Sequence, residues 1–436
     1  MLFLQPLVAL VAAVSTVSAA ALQKRVHNGH WVNIWGTMPQ LTEPQNLPPA
    51  PYNGTTGVFI NASIRQTLFM TLGADQIRLR FSNNFGGSDL AITGVTVALP
   101  VGGAAGVAKI QTNTLKAVTF SGSSSIIVPN GSLVVSDPID FPVAPLQNIA
   151  VTIYLASGQS GFAVTSHPGS RTTSYMTWGN QLTAADFTST ATASTAHWYF
   201  ISGVEGWVNG GESAFVIVGD SITDGRGSTT DANNRWPDLL LRNMQKQHFS
   251  SQISVINQAA GGNRILYDGL GPNAQGRIDR DVLSQSGVKF AMIFEGVNDI
   301  GTAPAEAGAQ DVIYQRLVLA YKQMSTRIHT FGIPFFAATI TPFGSPNTVL
   351  QPYSAPEREV TRLRINDWIR KSKGTVFDAI IDFDAMLRDP KNQTQLNPIY
   401  DSGDQLHPNV AGYQYIANQF PLSILDTFAD GVDGFN

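Results

Sequence analysis

Four short stretches of this sequence carry the residue types of a nucleophilic hydrolysis. In Gly219-Asp220-Ser221-Ile222-Thr223-Asp224-Gly225 a serine follows closely on the apolar run Phe215-Val216-Ile217-Val218. A buried strand would deliver that hydroxyl to a sharp turn, where nearby backbone N–H groups can face an anion. In Asn257-Gln258-Ala259-Ala260-Gly261-Gly262-Asn263-Arg264 the paired glycines let backbone come close to a ligand and point an N–H at it. In Glu295-Gly296-Val297-Asn298-Asp299 an asparagine can donate its amide N–H to developing negative charge. In Asp404-Gln405-Leu406-His407-Pro408 a carboxylate stands three residues before a histidine. If the loop folds back it can accept from Nδ1, which sets the tautomer and leaves Nε2 as base. Taken singly, each stretch has a plainer reading: a capped turn, a Gly-Gly turn, an Asx-turn or helix cap, a structural Asp–His pair. All four lie just past strand-like runs or in the last long loop, and that joint placement favours the chemistry.

Such residues need a sheet whose strands end on one side. From Phe215 onward, strand-like runs at 253–256, 290–294, 334–340 and 376–381 alternate with helical candidates at 236–249, 305–331, 355–372 and 409–420. That alternation predicts βαβ units, a mainly parallel sheet and helices on both faces, with function gathered where the strands end. Before Phe215 the pattern is different. Partial alternation at 64–72 and 76–81, about Gly73-Ala74-Asp75, predicts a hairpin. Further β-like runs at 90–99, 125–128, 132–135, 149–155 and 198–204 are separated by Gly, Pro, Ser and Asn. Many short strands without a helix predict a sandwich or jelly roll. The turn-rich Asn209-Gly210-Gly211-Glu212 divides the two, giving an all-β domain over 26–210 and a catalytic domain over 211–436.

With 436 residues, 43% hydrophobic and 13% charged, the chain can bury a large core and is long enough for two domains. A net charge of −4, with no basic run beyond Lys24-Arg25, argues against a nucleic-acid partner. Residues 1–21 read as a secretory signal, an apolar run from Leu2 to Val17 followed by Ser18-Ala19-Ala20-Ala21, and so predict an extracellular protein. Lys24-Arg25 could close a pro-segment. Pro6 and the run's place at the amino terminus argue against a stable membrane anchor, and no second span stands out. The absence of cysteine excludes disulfides and thiolate metal sites. Sequons at Asn53, Asn61, Asn130 and Asn392 are glycosylation candidates that fit a secretory route.

In order and context the four stretches resemble the signature blocks of the SGNH hydrolases, also called the GDSL esterase/lipase superfamily, over about residues 215–420. Gly219-Asp220-Ser221-Ile222-Thr223 resembles block one, with Ile222 where the family name has leucine. Gly262 falls in block two, Gly296-x-Asn298-Asp299 is block three, and Asp404-x-x-His407 is block five. The resemblance implies a three-layer, flavodoxin-like α/β domain with Ser221 as nucleophile, His407 as general base and Asp404 as its orienter. It also implies an oxyanion hole of Ser221 N–H, Gly262 N–H and the Asn298 side chain. Gly261 is the adjacent candidate, but the family's Gly-Asn-Arg-like run places the donor at Gly262. It implies no metal and no other cofactor. No Gly-x-Ser-x-Gly occurs, which argues against the α/β-hydrolase elbow. The amino half resembles a β-domain fused to secreted members, through Trp31-x-x-x-Trp35, Arg65-Gln66-Thr67 and Arg80-Phe81-Ser82-Asn83, as does Arg235-Trp236-Pro237-Asp238 in the other half. The resemblance sets no role for that domain, and the sequence sets no oligomeric state.

The expectation is a secreted serine esterase hydrolysing carboxylic esters through an acyl-enzyme, with short acyl groups on a small-molecule or polysaccharide alcohol. The alternatives are a long-chain lipase or phospholipase, and a carbohydrate-binding protein with a degenerate hydrolase domain. Loops at 263–280 and 342–356, rich in Gly, Asn, Pro and Ser, suit a polar alcohol, and no amphipathic insertion reads as a lid. His167 could line the cleft, but a surface turn is the stronger expectation; Trp31 and Trp35 could stack on a sugar, but core packing is the stronger expectation. Asp220, Thr223 and Asp224 are expected to brace the serine turn, and Asp299 the loop of Asn298.

Overall fold

Burial on both faces decides where the parallel strands lie. In the computed structural model, which describes residues 29–433, the strand Ser213–Gly219 is buried at every position. It is the second of five: Ile253–Ala259 pairs on one side, at the edge, and Val288–Phe294 on the other, and the sheet continues through Phe335–Ala338 to Ala379–Ile381, all parallel. Successive side chains face opposite ways. Phe215 and Ile217 pack with Trp236, Leu240, Tyr413 and Ile416, while Val216 and Val218 join Leu317, Tyr321, Ile365 and Ile369. The helices Trp236–Met244 and Val410–Gln419 therefore cover one face, and Ala307–His329 and Pro356–Lys371 the other. The result is a three-layer α/β unit. The first of these helices stops short of the expected residue 249, where Ser250 Oγ donates to Met244 O at 2.8 Å.

The amino-terminal part is antiparallel and all-β. One sheet joins Gly29–Gly36, Ile201–Asn209 and Ala74–Ser82, with Leu133–Val135 and Ile139–Val143 both paired to the last. The other runs Ala193–Thr195, Ser174–Trp178, Ala62–Phe69, Asn148–Leu155, Gly94–Pro100 and Ile110–Val118. Fully buried Ile34, Ile64, Leu79, Phe81, Val97 and Ile153 lie in one apolar cluster from both sheets. Trp35 is buried there, edge-on to Trp198 at 4.9 Å, whereas Trp31 is half-buried against Trp207 with Arg78 over its ring.

The hairpin expected at 64–81 does not form. Ala62–Phe69 and Ala74–Ser82 belong to different sheets, and the chain crosses between them where Thr71 N donates to Ile34 O at 2.8 Å. The apparent alternation misleads in its first run, whose polar members are buried too. Arg65 Nε donates to Thr152 Oγ1 at 2.8 Å, and Gln66 exchanges two hydrogen bonds with the Tyr199 backbone. The leader at 1–21 and Lys24-Arg25 lie outside the described residues. Among those described, no helix is long and apolar enough to cross a membrane.

The two parts meet along a tight seam. Asn33 N donates to Ser286 O at 2.8 Å, Asn33 Nδ2 to Gln285 Oε1 at 2.6 Å, and Ser254 Oγ to Asn33 O at 2.6 Å. Gly287 sits at φ +71°, and a Cβ there would lie 2.6 Å from Val32 Cγ2. Gly287→Ala therefore meets both an unfavourable backbone conformation and an overpacked contact, and should cost about 2 kcal/mol of stability. Urea unfolding checks this, and an unshifted midpoint would mean the seam yields without strain.

Candidate active site

The strand Ser213–Gly219 ends between the two neighbours that the chain adds on opposite sides of it, and a crevice opens there. Asp220 caps the one-turn helix Ser221–Asp224, its side chain accepting from Ile222 N at 3.0 Å, and Gly225 closes that turn in the left-handed conformation. Ser221 is thereby held at the crevice with only 7% of its surface exposed. Its Oγ lies 2.7 Å from His407 Nε2, and His407 Nδ1 lies 2.6 Å from Asp404 Oδ2. The loop does fold back: Ser402 N donates to His407 O, and Asp404 Oδ1 accepts from the backbone N–H of Leu406 and His407. With Nδ1–H donated to the carboxylate, Nε2 is left to accept the serine proton. Burial alone would raise the Asp404 carboxyl. The His407 ring and the two backbone donors outweigh it and hold the group well below the usual carboxylate range.

The second stretch separates its two glycines. Gly261 N–H donates to Asp224 Oδ2 at 3.0 Å. Gly262, at φ +73°, has no backbone acceptor for its N–H among the described residues and lines the crevice. Asn298 opens the helix Val297–Thr302. Its Nδ2 donates to Asn263 O at 2.8 Å, and its Oδ1 accepts from Tyr353 OH at 3.0 Å, which orients the amide with the nitrogen toward the second stretch. Asp299 braces that second stretch as well, accepting from Ile265 N and Leu266 N. Gly262, Asn298, Ser221 and His407 line one cleft of about 560 Å³. Part of its wall comes from the amino-terminal half, through Gln40, Glu43, Asn46 and Arg171.

Beneath the strand ends lies Arg277, with 1% of its side chain exposed. It donates to Gln258 O at 2.6 Å and to Asn263 Oδ1, reaches Gly219 O, and faces Asp281 at 3.0 Å and Glu295 at 3.4 Å. Burial pushes Glu295 up to about 8, partly countered by Arg277, and likewise pushes Asp220 up to about 7 and Asp299 up to about 6. Sequence reasoning missed Arg277 and Tyr353, whose partners, the i,i+4 neighbour Asp281 of Arg277 apart, are set by the fold rather than by neighbours in the chain. It also misplaced His167. The ring is buried, not at a surface turn, and its Nε2 lies 2.8 Å from Asp224 Oδ1. Asp224 thus braces more than its own turn. All four sequon asparagines are exposed. Among the described residues no group of three His, Cys, Asp or Glu side chains could hold a metal ion.

Residues 217–415 match the model of the GDSL-like Lipase/Acylhydrolase family. No curated protein matches the chain. Similar solved structures include a GDSL-like lipase from Bacteroides thetaiotaomicron, at 16% identity and TM-score 0.36, covering 49% of this chain and 89% of that one. An acetyl xylan esterase, at 19% identity and TM-score 0.35, covers 48% of this chain and 99% of its own. A carbohydrate acetylesterase family member from Sinorhizobium meliloti, at 15% identity and TM-score 0.37, covers 49% and 98% respectively.

Two outcomes follow from this geometry. Tyr353→Phe removes the bond that orients the Asn298 amide and should lower kcat on the order of tenfold with KM nearly constant, read from steady-state kinetics on an aryl ester. The second concerns pH. Glu295 ionises near 4.5 when unfolded and near 8 when folded, so the folded state holds its proton across that window. Its contribution to stability is complete below the lower value and is lost as pH rises through the upper one. Glu295→Gln should therefore gain stability relative to wild type between pH 5 and pH 9; a difference that shrinks or reverses would show that the Arg277 pair favours the ionised form.

Proposed function

From a carboxyl-terminal half that belongs to the SGNH hydrolases, and with the chain so placed among the carboxylic ester hydrolases, we propose that it cleaves esters by acyl transfer through Ser221, His407 and Asp404. The observation that carries this reading is the unbroken line Ser221 Oγ–His407 Nε2–Asp404 Oδ2, at 2.7 and 2.6 Å, beside the uncommitted Gly262 N–H. His407 Nε2 takes the Ser221 proton as Oγ bonds to the ester carbonyl carbon. The resulting oxyanion is held by Ser221 N–H, Gly262 N–H and Asn298 Nδ2. Asp404 stabilises the imidazolium, which returns the proton to the departing alcohol as the C–O bond breaks. Water, deprotonated by the same ring, then attacks the acyl-serine and frees the acid and Ser221.

The substrate we propose is a short acyl ester of a polar alcohol, such as a decorated polysaccharide, met outside the cell. Supporting it are the polar wall at Gln40, Glu43, Asn46 and Arg171 and the secretory character of residues 1–21. Longer acyl chains are the second reading, and it has support of its own: Leu270 and Leu350, 47% and 44% exposed, line the cleft. Aryl esters from acetyl to octanoyl, assayed below and above micelle formation with wild type and Ser221→Ala, separate these. The expected result is fastest turnover at two to four carbons without interfacial activation, and less than about 1% of that rate in the variant. An optimum at eight carbons with a rate jump at the interface overturns the substrate; a variant that keeps its rate overturns the nucleophile.

A further inference from the structure

We propose that His167, supplied by the amino-terminal half, is a positioning residue for the oxyanion-binding turn, an inference that rests on reading Gly262 N–H as an oxyanion donor. The residues around it explain how the ring gets there. His167 ends the short strand Thr165–His167, which pairs with Gln40–Leu41 and with Trp198–Tyr199. Pro168 has no N–H to continue a ladder. At Gly169 a side chain would collide with the Asp224 carboxylate, so the chain lies directly against that group. Beyond it the segment is tied down: Ser170 O accepts from Arg235 Nη2 at 2.8 Å, Arg171 O from Asp231 N at 2.9 Å, and Asp231 accepts from both Thr173 N and Thr173 Oγ1.

Within this strap the ring is held on three sides. Nδ1 lies 3.0 Å from Met38 O, Nε2 lies 2.8 Å from Asp224 Oδ1, and the face stacks on Trp198 at 24°. A carbonyl oxygen only accepts, so Nδ1 carries a hydrogen, and a second proton lies between Nε2 and the carboxylate. The side chains of His167 and Asp224 are 3% and 1% exposed. Asp224 is the last residue of the one-turn helix that begins with Ser221, and its other oxygen accepts from Gly261 N–H. One carboxylate thus joins the amino-terminal half, the serine turn and the glycine next to the oxyanion donor. Removing the ring leaves a buried carboxylate with one backbone donor, an arrangement that costs free energy until the group moves. Any such movement releases Gly261 and with it the direction of Gly262 N–H. An oxyanion donor acts mainly in the transition state, so the expected loss is in kcat.

Kinetics on an aryl acetate test this together with fluorophosphonate labelling of Ser221, in which Oγ displaces fluoride through a trigonal-bipyramidal phosphorus whose phosphoryl oxygen draws on the same donors. His167→Ala should lower kcat on the order of tenfold to a hundredfold with KM within about twofold, and slow labelling in step. His167→Gln, whose amide N–H reaches toward the same carboxylate, should recover most of both. A folded His167→Ala protein with wild-type kcat and labelling overturns the proposal while leaving the nucleophile reading intact. Wild type that takes no label at Ser221 overturns both. A Gln variant that restores the thermal midpoint but not kcat reduces His167 to a structural part and overturns the proposal. Should His167→Ala not fold, Asp224→Asn decides: loss of kcat at constant KM supports the role, and wild-type kcat overturns it.

Discussion

The buried guanidinium of Arg277 is the interaction on which the site's layout depends. Three of the four functional stretches leave the sheet at neighbouring strand ends, and Arg277 touches all three: Gly219 O from the first, Gln258 O and Asn263 from the second, Glu295 from the third. A charge this deep is tolerable only with a counter-charge and a full set of acceptors; Asp281 supplies the former, and Glu295 adds an acceptor. Removal of Arg277 would leave Asp281 with Arg280 as its remaining cation and would strip Gln258 O and Asn263 Oδ1 of a buried donor. The raised Glu295, Asp220 and Asp299 show the same condition from the other side: charge is expensive here and protons substitute for it.

Around that anchor, the reactive groups are placed by elements of very different reach. The Asp404–His407 contact is made within one loop of four residues. The Ser221–His407 contact joins the end of the strand Ser213–Gly219 to the loop before the last long helix. Asn298 depends on Tyr353, from a third segment. The cleft wall at Gln40, Glu43, Asn46 and Arg171 comes from the other half of the chain altogether. The carboxyl-terminal half thus supplies the Ser221–His407–Asp404 line, while part of the wall of the cleft beside it is built by the amino-terminal half.

This gradient of reach is also the limit of what could be read from sequence. Ser221, Gly262, Asn298, Asp404 and His407 are nameable as candidates because four short motifs, each ambiguous alone, stand together at strand ends and in the last long loop and jointly resemble one family's blocks. The choice between Gly261 and Gly262 rested on resemblance alone, and the structure adds a physical distinction, since Gly261 N–H is taken by Asp224. His167, Arg277 and Tyr353 were missed or misplaced because their partners, Asp281 of Arg277 apart, lie further along the chain than any periodicity or spacing points to. The false hairpin has the same origin. Arg65 and Gln66 look like solvent-facing residues of an alternating strand, yet distant backbone carbonyls satisfy both.

The pairing of Gly29–Gly36 with Ile201–Asn209 bears on the order in which the molecule can be assembled as it is synthesised. The first strand of the amino-terminal half waits for the last strand of that half, so its sheet closes only when residue 209 has emerged. Contacts this distant in sequence return nothing until the whole intervening loop has been closed. The strand that ends at the serine turn starts at Ser213, immediately afterwards. Residues 165–173 gain their ties to Asp224, Asp231 and Arg235 only once those residues have followed, so the strap and the serine turn take shape together.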